Sequence, residues 1–266
     1  MQRDASIHPD HYVTTSKMPD MPVQAFAAEG VPGEVTTWHN HPTGQLFHVV
    51  RGSLAIDTEV GTFFAPPERA VWLPAGLHHQ TRYLAETEVR YMYFGREHLE
   101  RLPQTPRVLQ VTTLLRALIL EFMSYPRREI VDGPQARIVG VILDQLKMLP
   151  AAPLQLPMPK EARMRQLCER ILSCPAEVPL LAVAAESCAM SVRSFERRVK
   201  AETGLSYRNW CHQAKLFRAL ELLSGGGSVS EVSHLLGYEG PSAFVSTFRK
   251  AFGVTPGRYF LSDPGI

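Results

Sequence analysis

The chain has 266 residues, 45% of them hydrophobic, with 28 Lys+Arg against 26 Asp+Glu and a formal net charge of +2. That length predicts two domains, and the apolar content is ample for packed cores. Met1-Gln2-Arg3-Asp4 opens a polar leader, so no signal peptide is expected; the longest apolar run, Val108 to Met123, is broken by Arg116 and Glu121, so no membrane span is expected and the chain reads as soluble.

Residues 1 to about 20 read as a partly disordered leader or an edge strand. From Val23 to Phe94 the character is β. Runs such as VTTWHNH, LFHVVRGSLAID, GTFFAPP, AVWLPAG and VRYMYFG are rich in β-branched and aromatic residues and are separated by Gly and Pro. Closely spaced strands of this kind predict a small barrel or double-sheet jelly roll.

Within that region Gly33 is followed after five residues by His39-Asn40-His41, then by Gln45 and Gly52. Pro74-Ala75-Gly76 comes later, and then His79. Strand alternation points His39 and His41 to one side of a sheet, and the opposite way for His78 than for His79. The two stretches resemble the cupin motifs G-x5-H-x-H-x3-E-x6-G and P-x-G-x2-H, whose histidines and glutamate converge on one cation in metal-binding cupins. This sequence departs from them. Gln45 replaces the glutamate, Glu68 stands where the second motif begins with glycine, and Tyr83 stands where asparagine is common. A neutral amide is a poorer ligand than a carboxylate and removes one negative charge. Three imidazoles with an amide still suit Zn²⁺ or Ni²⁺, while redox iron enzymology is disfavoured. The expected effector pocket comprises His39, His41, Gln45, Trp72 and His79, with His39, His41, Gln45 and His79 as the candidate metal ligands. The alternative is that the histidines only support the fold by hydrogen bonding.

From Pro106 to Leu149 the period becomes helical. Val111, Leu114 or Leu115, Leu118 and Phe122 fall on one side of a first helix, and Ile138, Ile142, Leu146 and Leu149 on one side of a second. Such a pair either covers the barrel or offers a surface for self-association. Pro150 to Pro159 holds four prolines in ten residues, which disfavours helix and predicts an extended, semi-rigid linker.

Beyond the linker the same unit occurs twice. A shift of forty-nine residues places Leu180 on Val229, Val183 on Val232, Ala184 on Ser233, Phe195 on Phe244, Val199 on Phe248, Gly204 on Gly253 and Leu205 on Val254. The matched spacing lets the apolar positions face a common core. Each copy contains a break, Cys188-Ala189-Met190-Ser191 or Gly237-Tyr238-Glu239-Gly240-Pro241, with Ser191 as N-cap and Pro241 suited to a first turn. A short helix, a tight turn and a second helix make a helix-turn-helix. Between the copies, Tyr207 to Leu223 reads as one amphipathic helix, with Trp210, Leu216, Phe217, Leu220 and Leu223 on its apolar face, Ala214 and Glu221 at the edge, and Arg208, Lys215 and Arg218 opposite. Gly225-Gly226-Gly227 stops it. Such a rod can present two reading helices to successive major grooves, about 34 Å apart. From Met158 onward the chain carries 14 Lys+Arg against 10 Asp+Glu and the remainder 14 against 16, so the cations that phosphate contacts need lie on this side. The four cysteines, Cys168, Cys174, Cys188 and Cys211, all fall in this half without a C-x-x-C pair and read as buried small apolar residues rather than as disulfides or zinc ligands.

The segment from ARMRQLCERIL to FRKAFGVTPGRYF resembles the DNA-binding domain of AraC/XylS-type bacterial transcription regulators, over about a hundred residues. The resemblance implies seven helices, with the second helix of each unit in the major groove, and a dimerisation role for the preceding helical segment. In the first unit Ser191, Arg193, Glu196, Arg197 and Lys200 are the outward positions, Arg193 and Arg197 reaching guanine or phosphate. In the second they are Ser242, Val245, Ser246, Arg249 and Lys250, and base reading is expected to fall mainly on the first.

The expected organisation is multidomain: an all-β cupin-like effector-binding barrel (1–100), a helical dimerisation segment (101–149), a Pro-rich linker (150–159) and an all-α double helix-turn-helix domain (160–266). The expected function is a cytoplasmic, effector-controlled, sequence-specific transcription regulator and not an enzyme. Its expected partners are promoter duplex DNA, a small-molecule effector, a second copy of the chain and RNA polymerase, with no membrane. The rivals are a metal-dependent cupin oxygenase or isomerase with an appended DNA-binding domain, and a ligand-free regulator whose barrel only dimerises.

Overall fold

The computed structural model describes residues 22–126, 132–152 and 154–259; the predicted leader lies outside them. The chain divides into two compact units, one reaching to Thr58 and including Phe63–Gln155, the other comprising Glu59–Thr62 and the chain from Leu156.

The first unit is built on strands β1 (Val23–Gly30), β2 (Gly44–Arg51), β3 (Leu54–Thr58), β4 (Gly61–Ala65), β5 (Arg69–Leu73), β6 (His79–Tyr83), β7 (Thr87–Phe94), β8 (Arg107–Gln110), β9 (Ala151–Ala152) and β10 (Gln155–Pro157). They form a six-stranded sheet in the order β1-β7-β2-β5-β8-β9 and a four-stranded sheet in the order β10-β4-β3-β6. The run VTTWHNH, expected as a strand, is instead a loop held to the second sheet by the bridges Val35–Arg82 and His39–His79 and by Thr36, whose hydroxyl accepts from the Thr81 N–H at 2.9 Å. The proline-rich stretch is extended, as its composition predicts, and carries β9 and β10.

Short α1 (Arg96–Leu99) precedes two longer helices, α2 (Thr113–Ser124) and α3 (Gly133–Met148). Thr112 caps α2 by accepting from the Leu115 N–H at 3.1 Å. Their apolar faces cover one side of the larger sheet. Leu46, Trp72, Met92 and Phe94 meet Leu115, Ile119 and Phe122 of α2 and Val139, Ile142, Leu143 and Leu146 of α3 in one core cluster. Each such buried side chain contributes about 1.5–3 kcal/mol. The buried stripes follow the sequence expectation closely: of Leu114 and Leu115 it is Leu115 that is buried while Leu114 is 51% exposed, Leu118 is only partly buried, and Ile119 joins the core unanticipated.

The second unit holds seven helices among its described residues: α4 (Ala162–Ser173), α5 (Leu181–Ser187), α6 (Val192–Thr203), α7 (Tyr207–Ser224), α8 (Val229–Leu235), α9 (Pro241–Phe252) and α10 (Pro256–Tyr259). The 49-residue repeat appears as α5–α6 and α8–α9. Phe195 and Phe244, and Val199 and Phe248, are buried at matched positions, and Gly204 and Gly253 both end their helices in the left-handed region. Before the break the match holds at Ala184 and Ser233, both fully buried, and fails at Leu180 and Val183. Leu180 and Val183 are 79% and 53% exposed, because α5 packs through Ala184 and Ala185 instead. Leu205 and Val254 also stay outside the buried set, Val254 being exposed.

Helix α7 carries the two repeats on one rod. Ala214, expected at the edge, is fully buried, and Leu223 is only half-buried. The small Ala214 lies on the same face as Trp210, Cys211 and Phe217, where neighbouring helices approach closely. Tyr207 contacts Phe195 of α6 at 5.3 Å between ring centroids, and the Lys215 ammonium lies 5.9 Å from the Tyr238 ring in the second turn. Cys168, Cys188 and Cys211 are buried as expected; Cys174, at the end of α4, is exposed.

Candidate functional site

Two places in the molecule gather chemistry-bearing residues. The first lies inside the strand domain. The double backbone hydrogen bond between His39 and His79 (3.0 and 2.8 Å) clips the loop after β1 onto β6, and the Gly76 N–H donates to the His41 carbonyl at 2.8 Å. These contacts bring three imidazoles together. Ring centroids are 4.3 Å apart for His39–His79, 4.8 Å for His39–His41 and 5.4 Å for His41–His79, and one ligand atom from each ring lies within 4.8 Å of the others. His78 points away and pairs with Asn40 at 2.8 Å.

The tautomers are fixed by backbone oxygens, which only accept. His39 Nδ1–H donates to Thr37 O (2.7 Å) and His79 Nδ1–H to Leu77 O (2.9 Å), so on both rings Nε2 carries the lone pair. Nε2 of His41 and of His79 is buried without a hydrogen-bond partner. Burial, aided by the neighbouring imidazoles His39 and His79, lowers the His41 pKa to about 3. Burial lowers His79 to about 4 against the opposing Leu77 hydrogen bond. Both rings are therefore neutral donors at neutral pH.

Gln45, 3% exposed, joins this set through Tyr93. Its amide Nε2 donates to the Tyr93 hydroxyl at 2.7 Å, its cross-strand partner in the β2–β7 register, and its Oε1 is left buried and unsatisfied. Tyr93 in turn meets the His41 ring edge-on at 5.2 Å. Three imidazoles gathered within 4.8 Å, with Nε2 of His41 and of His79 lacking any partner, are a donor set that fits a divalent transition metal, and the unsatisfied Gln45 oxygen lies on the strand rung beside Tyr93, which packs on His41.

Trp72 does not belong to this pocket. It pairs with Leu46 across β2–β5, on the face opposite Gln45, and lies in the core under α2 and α3 with its Nε1–H donating to Pro103 O at 2.8 Å. The aromatic lining comes instead from residues that sequence pattern did not single out. Phe26 stacks on Tyr91 and Tyr93 at 5.2 and 5.6 Å, Phe47 meets Tyr91 and His79, and the Tyr83 and Tyr91 hydroxyls are 2.7 Å apart. Burial and the neighbouring tyrosines raise the Tyr91 pKa well above its usual value, so it stays protonated. The alternation in VRYMYFG was the available signal, since it sends Tyr91 and Tyr93 to one face.

The opposite faces of β2 and β7 carry a different cluster. His48, paired with Arg90, is 1% exposed and neither ring nitrogen has a hydrogen-bond partner. Burial first, then Arg116 of α2 and Arg90, lower its pKa to about 4. Arg90 pairs with Glu88, and Arg116 with Glu68. Glu68 has φ 61°, the backbone state that glycine adopts without strain, which accounts for the motif position it occupies.

The second place is the outer surface of α6 and α9. Ser191 caps α6 by accepting from the Ser194 N–H, and Arg193, Glu196, Arg197 and Lys200 are all exposed around the buried Phe195 and Val199. Arg198, also exposed, is instead engaged with Glu202 at 3.0 Å, and the same carboxylate accepts from the Lys160 and Glu161 N–H groups. On α9, Ser242, Val245, Ser246, Arg249 and Lys250 line an open concavity of about 730 Å³ together with Pro241, Gly253 and Thr255. The last three were not anticipated, being turn residues without reactive groups.

Comparison with known proteins bears on both places. Residues 22–130 match the AraC-like ligand binding domain family and residues 184–262 match a helix-turn-helix domain family. The chain is 33% identical over 236 residues to the HTH-type transcriptional regulator NimR of Escherichia coli K12, covering 88% of this chain and 86% of that one. It belongs to the AraC family of transcription regulators. A 28% identity over 110 residues links it to the regulator RipA of Corynebacterium glutamicum, covering 41% and 33% of the two chains. Among solved structures, fatty-acid-bound ToxT of Vibrio cholerae aligns over 92% of this chain and 96% of its own at 10% identity, with a TM-score of 0.39. The AraC-family order, ligand-binding domain first and DNA-binding domain second, is the order of the two units here. Among the described residues no helix is long and apolar enough to cross a membrane.

Proposed function

We propose that this AraC-family regulator acts in the cytoplasm as a homodimer that binds promoter DNA through α6 and α9 and responds to a small effector in its strand domain. The observation that carries the DNA-binding assignment is the pairing of buried Phe anchors with outward cations on both helices. Arg193, Arg197 and Lys200 surround Phe195, while Arg249 and Lys250 end the helix anchored by Phe244 and Phe248. Arg193 and Arg197 suit guanine edges or phosphates, Glu196 suits a cytosine amino group, and Ser191, Ser242 and Ser246 suit phosphate or base edges. Val245 suits a thymine methyl.

The effector site is read as metal-centred. His39, His41, His79 and Gln45 would hold Zn²⁺ or Ni²⁺, and a bound ion would supply a Lewis-acid centre on which an effector could be held. The neutral Gln45, standing where the cupin motif has a carboxylate, supports binding rather than turnover. The exposed Leu114, Leu120 and Val141 on α2 and α3 support self-association through those helices, and RNA polymerase is the partner that transcriptional control requires.

The DNA assignment is tested by fluorescence anisotropy of the full chain on its own upstream promoter fragment. Combined Arg193→Ala and Arg197→Ala substitution is expected to abolish preference for that fragment over random duplex; retained preference would refute the assignment. Metal analysis of the purified protein beside a His39→Ala, His41→Ala variant tests the centre: a transition metal lost in the variant supports it, and no metal in either refutes it.

A further inference from the structure

The donor set in the strand domain is uncharged and leaves a coordination position open. Among the described residues, the group close enough to share an ion is the histidine triad, and it contains no carboxylate. Gln45 adds a neutral oxygen. Glu34, whose charge is felt at Tyr91 and whose carboxylate accepts from the Val31 N–H at 3.2 Å, is not among the groups whose ligand atoms cluster there, so it acts at a distance and not as a ligand. The aromatic side chains beside the triad, Phe47 against His79 and Tyr93 against His41, with Phe26 and Tyr91 packed on them, are uncharged. A divalent ion in this place has no carboxylate ligand from the triad, and two of its three histidines are buried, where an uncompensated charge is costly.

The rest of the first coordination sphere and the missing negative charge must therefore come from outside the protein. We infer that the effector is a small carboxylate-class anion that coordinates the metal directly, with its apolar body against the Phe26, Phe47 and Tyr91 rings. Gln45 is then the specificity-determining residue. Its amide, oriented by the Tyr93 hydroxyl, leaves the ion its charge, whereas the carboxylate of the cupin motif would neutralise part of it. The inference rests on the metal reading above and adds the charge class of the ligand.

The test uses the full-length protein loaded with Co²⁺, whose visible ligand-field bands report changes in coordination. Acetate is expected to shift those bands saturably, while acetamide, of similar shape but uncharged, leaves them unchanged. Gln45→Glu is expected to keep stoichiometric Co²⁺ and to bind acetate roughly tenfold more weakly or worse, since the new carboxylate repels the anion and satisfies the ion. Equal responses to acetate and acetamide in the wild-type protein would overturn the inference while leaving the metal site intact. So would unweakened acetate binding by a Co²⁺-loaded Gln45→Glu protein. Failure of the wild-type chain to take up Co²⁺ would instead overturn the metal reading itself.

Discussion

Helices α6 and α9 are each twelve residues long, each anchored by a buried Phe at the same turn and each closed by a left-handed glycine. They differ at the start and on the outward face. Helix α6 follows a turn in which Ala189 has φ 54°, and a serine side chain caps it; α9 follows Gly237, φ 70°, and begins with Pro241 and no side-chain cap. The outward face of α6 carries charge along its length, whereas that of α9 is short and weakly polar until Arg249 and Lys250 in the last turn. The frame was kept through the duplication and the reading surface was not. On the reading proposed above, one unit would serve base edges and the other shape and backbone.

The shared frame breaks most severely at its anchors. Phe195→Ala and Phe244→Ala are each expected to cost about 3–5 kcal/mol, measurable by urea unfolding, because both rings are fully buried. If one unit tolerated the loss, the units would not share a core design. The difference in surface is sharpened by Arg197→Ala against Arg249→Ala in DNA titrations. The first is expected to cost about 1–3 kcal/mol and relax specificity at one base pair; the second should weaken all sequences alike and reduce the salt slope by about one.

The turns give smaller effects. Gly237→Ala is expected to destabilise by about 1 kcal/mol through its backbone alone, since an added Cβ meets nothing nearer than 3.6 Å. Ala189→Gly relieves the same strain but frees the unfolded chain, so its net change should fall within about 0.5 kcal/mol. The smallest expected effect is acid sensitivity. Burial alone would raise the Glu202 pKa, but hydrogen bonds from Glu161, Arg198 and Lys160 outweigh it and lower the carboxyl below its usual 4.5. A depressed carboxylate stabilises the fold above its unfolded pKa, and that contribution is lost as pH falls through the folded value. Glu202→Gln should therefore flatten the acid limb of a stability–pH profile below about pH 4.5 while removing a little stability at neutral pH.

The repeat was legible because apolar anchors, cap residues and terminal glycines recur at a fixed offset, and each has a local physical cause. What sequence could not give was rotation about a helix axis. Val183 and Leu114 have the hydrophobicity of core residues but are exposed, because Ala184 and Ile119 fit the gap between elements better. In the strand domain the histidine spacing, through its likeness to the cupin motifs, located the cluster, but the pairing that assembles it joins His39 to a distant strand and is not readable from spacing alone. The pocket wall was less legible. Trp72 sits one strand away from Gln45, and only the β2–β5 register decides that its ring faces the helices. Tyr93 became visible as a site residue once its register with Gln45 was known.

That register has a mechanical consequence. Gln45 and Tyr93 form one cross-strand rung of β2 and β7 facing the pocket; His48 and Arg90, three positions along, form another facing away, beneath Arg116 of α2. Side chains on a strand alternate, so neither rung can slide without reversing the face of the other. The strand pair is thus a single panel whose front faces the histidine cluster and whose back is the floor on which α2 stands. A push on the front that tilts the panel must be answered at the back, where a neutral imidazole is held against two guanidinium groups with no slack of hydrogen bonding to absorb it.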